Sequence, residues 1–447
     1  MRLHRSLLLT AIALAATAPL PAQTVDTAQA RFQPKTTIQH LRPQDKRGIN
    51  TFETSKVAGV EYTGFQLAWG AAFTQQFQGL THSNTADSVP ISATAPVNLA
   101  NRNRLMAIGN GFNNATANMY LHAQLAPGIR VQLTSYLSSR HHNETWVKDG
   151  FLQIDESPID VPLLHSIMKV ATVKIGQYEV NYGDFHFRRS DNGQALYNPF
   201  VGNALMDAFS TEIGTEVVVQ HNGFLGMVGA TNGESRGNVT RPADRAPAIM
   251  AKLGFDRQVN DDLRVRLTGS YRSQSSAIGN VLYAGDRAGS RYYFVLENFQ
   301  ASESANFTSG LVNPGFRDNV KAYMINPFIK FRGLELFGMY ENAEGSLNDA
   351  ETTDRTVKQY MAEAVYRFLP GEKLFVGARW NSVEGVLAAG GPDIEVTRTQ
   401  LGGGWFITPS LLLKAEYVTQ DYKNFAPTDI RNGGRFKGFM IEAVTAF

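Results

Sequence analysis

Beyond residue 22, the side chains best suited to acid–base or metal chemistry are His40, His82, His122, His141, His142, His165, His186 and His221. None stands in a Gly-x-Ser-x-Gly or His-Glu-x-x-His setting, the patterns that expose a nucleophilic serine or pair two imidazoles on zinc. His141 and His142 are adjacent, and neighbouring side chains on an extended backbone point apart, so the pair makes a poor chelate. The chain has no cysteine, which removes thiolate metal sites and cysteine nucleophiles. The expectation is no catalytic residue, no metal and no cofactor. What remains with a pattern is a series of arginines, lysines and glutamates that alternate with apolar residues, and the elements carrying them decide what they do.

The start of the chain reads as an export signal over residues 1–22. Arg2 and Arg5 precede an apolar stretch from Leu7 to Ala18, and Leu20-Pro21-Ala22 offers a small residue before the cut. That stretch is shorter than the roughly 20 apolar residues that span a bilayer. Removing it takes away two cations and no acid, leaving 40 of each. This balance argues against a nucleic-acid partner, which calls for a basic surface. An exported chain without cysteine has no disulfides to hold small modules together. Its 40 glycines and 11% aromatics suit strands with one apolar and one polar face.

The repeated period is two. Phe65, Leu67, Trp69, Ala71 and Phe73 alternate with Gln66, Ala68, Gly70, Ala72 and Thr74. Leu263, Val265 and Leu267 alternate with Arg264, Arg266 and Thr268, and Leu411, Leu413, Ala415 and Tyr417 alternate with Lys414 and Glu416. Aromatics such as Phe77, Tyr340, Tyr366, Phe368, Trp380 and Trp405 stand towards the ends of the apolar stripes, where membrane interfaces favour them.

Connections alternate between short and long. Pro127-Gly128, His221 to Gly223, Val259 to Asp261, Arg332-Gly333, Pro370 to Glu372 and Pro409-Ser410 are tight. Residues 78–112, 181–211, 232–246, 274–319, 344–355, 385–393 and 423–435 are long. The expected fold is therefore all-β: a closed antiparallel transmembrane β-barrel with short periplasmic turns and long extracellular loops. Sixteen strands are expected, near 60–77, 114–126, 129–139, 146–155, 169–180, 212–220, 224–231, 247–256, 262–273, 320–331, 334–343, 356–369, 373–384, 394–407, 411–422 and 436–447. Tyr292 to Glu297 is strand-like but stays in the long loop, because counting it would invert every later hairpin. Eighteen strands stay open if residues 274–319 and the N-terminal region supply a pair. The expected organisation is a signal at 1–22, a periplasmic or lumenal segment at 23–58 and the barrel at 59–447. In the final strand, Phe439, Ile441 and the terminal Phe447 share one stripe and resemble the assembly signal of outer-membrane barrels.

Two segments carry a more specific likeness. Ala171 to Gly183 (ATVKIGQYEVNYG) and Phe187 to Gly193 (FRRSDNG) resemble the porins grouped with the phosphate-selective porins O and P. Leu41 to Asn50 (LRPQDKRGIN) and Trp69 to Gln78 (WGAAFTQQFQ) are similar to porins of the same type. The resemblance implies a sixteen-stranded outer-membrane barrel, often a homotrimer, whose third long loop, here 181–211, folds inward and narrows a channel. It does not extend to the dense lysine cluster of the phosphate-selective members, so phosphate selectivity is not inferred.

On this register the inward bases are Arg130, Lys174, Lys252, Arg264, Arg266, Arg272, Lys330, Arg367, Arg379, Arg398 and Lys414. The inward acids are Glu216, Glu335, Glu341, Glu363, Glu416 and Glu442. Arg188, Arg189 and Asp191 fall in the constriction loop. The excess of bases points to a porin passing small hydrophilic solutes with a weak anion preference. A basic pair in a loop also reads plainly as solvated, or paired with Asp184 and Asp191. The competing functions are a non-conducting barrel that binds or adheres through its long loops, and an outer-membrane enzyme. Expected partners are outer-membrane lipid and lipopolysaccharide; the acidic loop Asp349 to Asp354 reads as solvated, with a weak divalent-cation or lipopolysaccharide bridge as the alternative.

Overall fold

In a computed structural model, the described residues are 37–91, 101–113, 115–140, 144–235, 239–243, 245–275, 279–284 and 289–447. The expected signal at 1–22 and the pair His141-His142 lie outside them.

The strands are β1 (Gln66–Ser83), β2 (Gly111–Phe112), β3 (Thr116–Ala126), β4 (Ile129–Ser138), β5 (Trp146–Ile154), β6 (Ala171–Glu179), β7 (Thr211–His221), β8 (Phe224–Thr231) and β9 (Ala248–Gln258). They continue with β10 (Leu263–Gln274), β11 (Val320–Phe331), β12 (Leu334–Gly345), β13 (Arg355–Phe368), β14 (Leu374–Val386), β15 (Asp393–Thr408), β16 (Leu411–Lys423) and β17 (Arg435–Ala446). β2 is a two-residue stub on β1. The other sixteen are the expected strands, each pairing antiparallel with its chain neighbour. β1 closes the sheet by pairing with both β3 and β17. Closure leaves no edge and pairs the strands all round the ring, the condition for crossing hydrocarbon with strands.

Side-chain alternation sets the two faces. In β11, Lys321, Tyr323, Ile325, Pro327 and Ile329 face out, and Ala322, Met324, Asn326 and Phe328 are buried. Pro327 has no N–H to donate, and its rung to β12 is missing between Ile325↔Tyr340 and Phe328↔Phe337, as expected for proline in a ladder. Trp69, Tyr366, Trp380, Trp405 and Tyr417 lie exposed on the outer face, which fits an apolar, aromatic-rimmed lipid surface. Among the described residues no helix is long and apolar enough to cross a membrane.

Two boundaries differ from expectation. The first strand begins at Gln66 rather than near residue 60, because Gly59 and Gly64 adopt positive φ (74° and 113°) and break the extended path. It then runs to Ser83, held by twelve paired positions with β17. The connection 155–170, on the short-turn end, carries a helix at Pro162–Met168 that period-two reading did not assign.

Candidate functional site: a polar pocket inside the barrel

The alternation places all eleven expected bases on the inner face. In β10, Leu267 and Tyr271 are exposed outside while Arg266 and Arg272 are buried. Each base is tied down. Lys174 pairs with Glu216 (2.6 Å), Arg272 with Glu212 (2.8 Å), Arg379 with Glu363 (2.6 Å) and Lys414 with Glu442 (2.6 Å). Arg264 meets Asp256 (2.7 Å), and Arg367 and Lys330 converge on Glu335 (2.8 and 3.6 Å). Arg266 and Lys252 share Asp184 (2.8 and 2.7 Å) and Glu53 (2.8 and 2.9 Å). Arg130 donates to the amides of Gln153 (2.6 Å) and Gln132 (3.3 Å), and Arg398 to Gln420 (2.6 Å). The other two inward acids, Glu341 and Glu416, are buried as well.

The excess of bases over acids does not survive in the folded chain. Asp149 lies beside the register shift at Thr134/Ser135, where strict alternation fails. Glu212, Asp256 and Asp155 sit at strand ends, and Glu53, Asp184 and Asp207 come from segments outside the strands. Each pairs with or lies beside a base of the interior, Asp207 with Arg189 of the 180–210 segment. Glu212 and Asp256 share the parity of Glu216 and Lys252 and are within reach of periodicity, whereas Glu53, Asp184 and Asp207 lie outside the strands.

Three segments fill most of the interior. Residues 180–210 run inside the barrel with almost every side chain buried. Lys414 Nζ donates to the carbonyls of Ala195, Asn198 and Phe200 (2.8–2.9 Å), and Arg379 donates to Gly202 O (2.8 Å). Asn381 and Gln359 accept from the Leu205 and Met206 amides. The second segment belongs to the 274–319 connection. The Tyr292 hydroxyl donates to Glu416 (2.6 Å), that of Tyr283 to Glu341 (2.6 Å), and Arg398 and Gln420 bond Gly310 O. Strand periodicity keeps this stretch in a long extracellular loop; the aromatic and apolar run Tyr292, Val295 and Leu296, here buried, is the sequence signal for an inward path.

The third segment, residues 38–56, crosses the short-turn end. Lys46 bonds Pro409 O through its backbone and Glu372 O through its ammonium (2.9 and 2.7 Å), while Lys56 reaches Asp155 O and Ala171 O (2.7 Å each). Phe52 is buried between Phe187 and Phe328, with Arg266 over its ring at 4.2 Å. Burial alone would raise the carboxyl pKa of Glu53 and of Asp184; Lys252 and Arg266 outweigh it and hold both well below the usual range.

Arg188 and Arg189 part company. Arg188 turns into the β12–β13 wall, to Glu363 (2.6 Å), Glu335 (3.6 Å) and Asn50. Burial would lower its pKa, but those glutamates raise it. Arg189 pairs with Asp207 (2.6 Å) and approaches Asp191 (3.8 Å). Asp191 also meets Lys148 (2.5 Å) and the Tyr136 hydroxyl.

A polar pocket of about 200 Å³ remains, between the inward loop, residues 41–54 and the wall formed by β3 to β7. Its cations are Arg42, Arg130, Lys148, Lys174 and Arg189. Its acids are Glu53, Asp149, Glu179, Asp191 and Glu216, so the two sets balance five to five. His186 also lines it, with Nδ1 at Glu179 (3.0 Å) and Nε2 at Asn181 (3.2 Å); burial lowers its pKa, against the pull of Glu179. Arg188 is not among the lining residues.

At the seam Phe447 exchanges backbone hydrogen bonds with Ala71 (2.9 Å each way), and Phe439 and Ile441 face out.

No family model matches the chain, and no curated protein is similar to it in sequence. Among solved structures it is similar to OmpT, an outer-membrane protein of Vibrio cholerae, at 12% identity over 87% of this chain and 99% of that one, with a TM-score of 0.49. It is also similar to the anion-selective porin from Comamonas acidovorans (11%, 86% and 100%, 0.48) and the outer-membrane channel DcaP of Acinetobacter baumannii (9%, 87% and 99%, 0.48). At these identities the likeness is one of fold and says nothing of solute or activity.

Proposed function

We propose that this chain is an outer-membrane channel for small hydrophilic solutes, with its passage confined to one side of the barrel. The observation that carries the reading is the polar pocket left between residues 180–210 and the β3–β7 wall, inside a barrel whose outer face suits lipid. Sixteen-stranded barrels enclose enough space for a water-filled channel, and here most of it is occupied by the chain's own segments. The constriction is therefore narrow, with Arg189 and Asp191 lining it and Arg188 anchoring the loop behind it. Its balanced lining supports weak ion selectivity, and a weak anion bias would rest on Arg130, whose bonds go to amides. Assembly as a homotrimer in contact with lipopolysaccharide is part of the same proposal.

The dense packing of the lumen favours a second reading, a closed barrel that binds a partner through its loops. Refolded protein in a planar bilayer separates the two. Small, stable current steps with a near-zero or slightly anion-selective reversal potential support the channel. A folded barrel that never conducts supports the closed one.

A further inference from the structure

We infer that the pocket selects neutral, polyhydroxylated solutes of single-ring size, such as a monosaccharide, over ions. The inference rests on the channel reading and adds the solute class. Size comes first: about 200 Å³ is below the roughly 300–1,000 Å³ of sites that enclose drug-sized ligands, so a single sugar ring is near the limit.

Charge comes second. The lining cations and acids balance five to five, and the central ones are already satisfied by each other: Lys148 with Glu179 (2.7 Å) and Asp191 (2.5 Å), Lys174 with Glu216 (2.6 Å). An ion entering such a site loses its hydration and finds Lys148, Lys174 and their acids already engaged with each other, which is costly. A neutral solute carries no such penalty.

Hydrogen-bond capacity comes third. Arg130 Nε, Asp149 Oδ1, Tyr178 OH and Glu216 Oε2 are buried in the lining residues without a partner. This set needs an acceptor at Arg130, donors at the two carboxylates and either at the phenol. A hydroxyl both donates and accepts, so a ring bearing several of them can meet the whole set. A simple anion meets only the arginine, and an ammonium only the acceptors.

The test compares three ring sugars of nearly equal size: glucose, glucuronate and glucosamine. Calorimetric titration of the detergent-folded full barrel should show glucose binding about tenfold or more tighter than either charged analogue, a difference of about 1.4 kcal/mol or more. Swelling of proteoliposomes should follow the same order. Arg130→Met, which removes a charged donor, should weaken glucose binding about tenfold or more. If that variant fails to fold, the comparison of the three sugars on the unaltered protein still decides. Equal or tighter binding of glucuronate or glucosamine overturns the inference, as does no glucose binding. Glucose binding without swelling would instead contradict the channel and leave the solute class standing. Swelling with all three sugars alike would leave the channel standing and remove the selectivity.

Discussion

Lys414→Met isolates what holds the inward loop in place. Lys414 Nζ, on β16, donates to three carbonyls of that loop, those of Ala195, Asn198 and Phe200, and pairs with Glu442 at 2.6 Å. Methionine keeps most of the side-chain volume and removes the charge. Glu442 is then left buried with the Gln76 amide donating to it (2.7 Å) and the Arg291 guanidinium at 4.0 Å as its remaining charge partner. Removing one partner of a buried pair costs about 3–5 kcal/mol, mainly because the other charge is stranded. The three carbonyls lose their donor in the same step, so the upper part of that range is expected. Urea unfolding of the refolded barrel measures the loss, and single-channel recording should show larger or more variable steps as residues 195–200 detach. The double variant Lys414→Met/Glu442→Gln should recover part of the stability, since the stranded charge is gone, but not the original conductance, since the loop remains untethered. A single variant within about 1 kcal/mol of the parent, with unchanged steps, would refute the reasoning.

Three other outcomes follow from the same contacts. Phe52→Ala empties the space between Phe187 and Phe328 and should cost about 3–5 kcal/mol while raising conductance through the short-turn end; urea unfolding and single-channel recording check both. The low pKa of Glu53 stabilises the docked 38–56 segment, and that of Asp184 the 180–210 segment beside it, above their unfolded values, near about 4, and that stability is lost as pH falls through the lower folded values. Conductance should therefore hold steady from pH 7 to about 5 and rise on further acidification, an increase that Glu53→Gln should blunt. Deleting Phe447 removes the hydrogen bonds to Ala71 that extend the β1–β17 seam, so the yield of heat-modifiable folded barrel on gels should fall with little change in conductance of the molecules that fold.

The barrel was legible because each strand had to show lipid one face and the interior the other. Val320 to Phe331 alternates without interruption, and the turns at Pro127-Gly128 and Arg332-Gly333 punctuate the pattern, so the sixteen long strands could be read directly. Register was legible for the same reason, and the eleven inward bases follow from it. What fills the interior was legible only through the resemblance, which turns residues 181–211 inward, and not through periodicity. Period-two reasoning fixes faces only within strands, and Glu53, Asp184, Asp207 and Tyr292 lie in segments that have no period. Asp149 escaped because a bulge moves it off the alternation. The separation of Arg188 from Arg189 was likewise hidden, since it depends on how a loop without regular structure turns against β12 and β13.

The central claim is that solutes pass beside the β3–β7 wall and not through the packed half of the barrel. A chain with no cysteine allows single thiols to be placed cleanly. Lys174→Cys sits at the pocket, where the native side chain is 22% exposed, whereas Gln420→Cys sits fully buried against Gly310 on β16. The account predicts that a charged methanethiosulfonate reagent reduces the current through the first variant and leaves the second unchanged. Block at residue 420, or an open channel unaffected at residue 174, would contradict it.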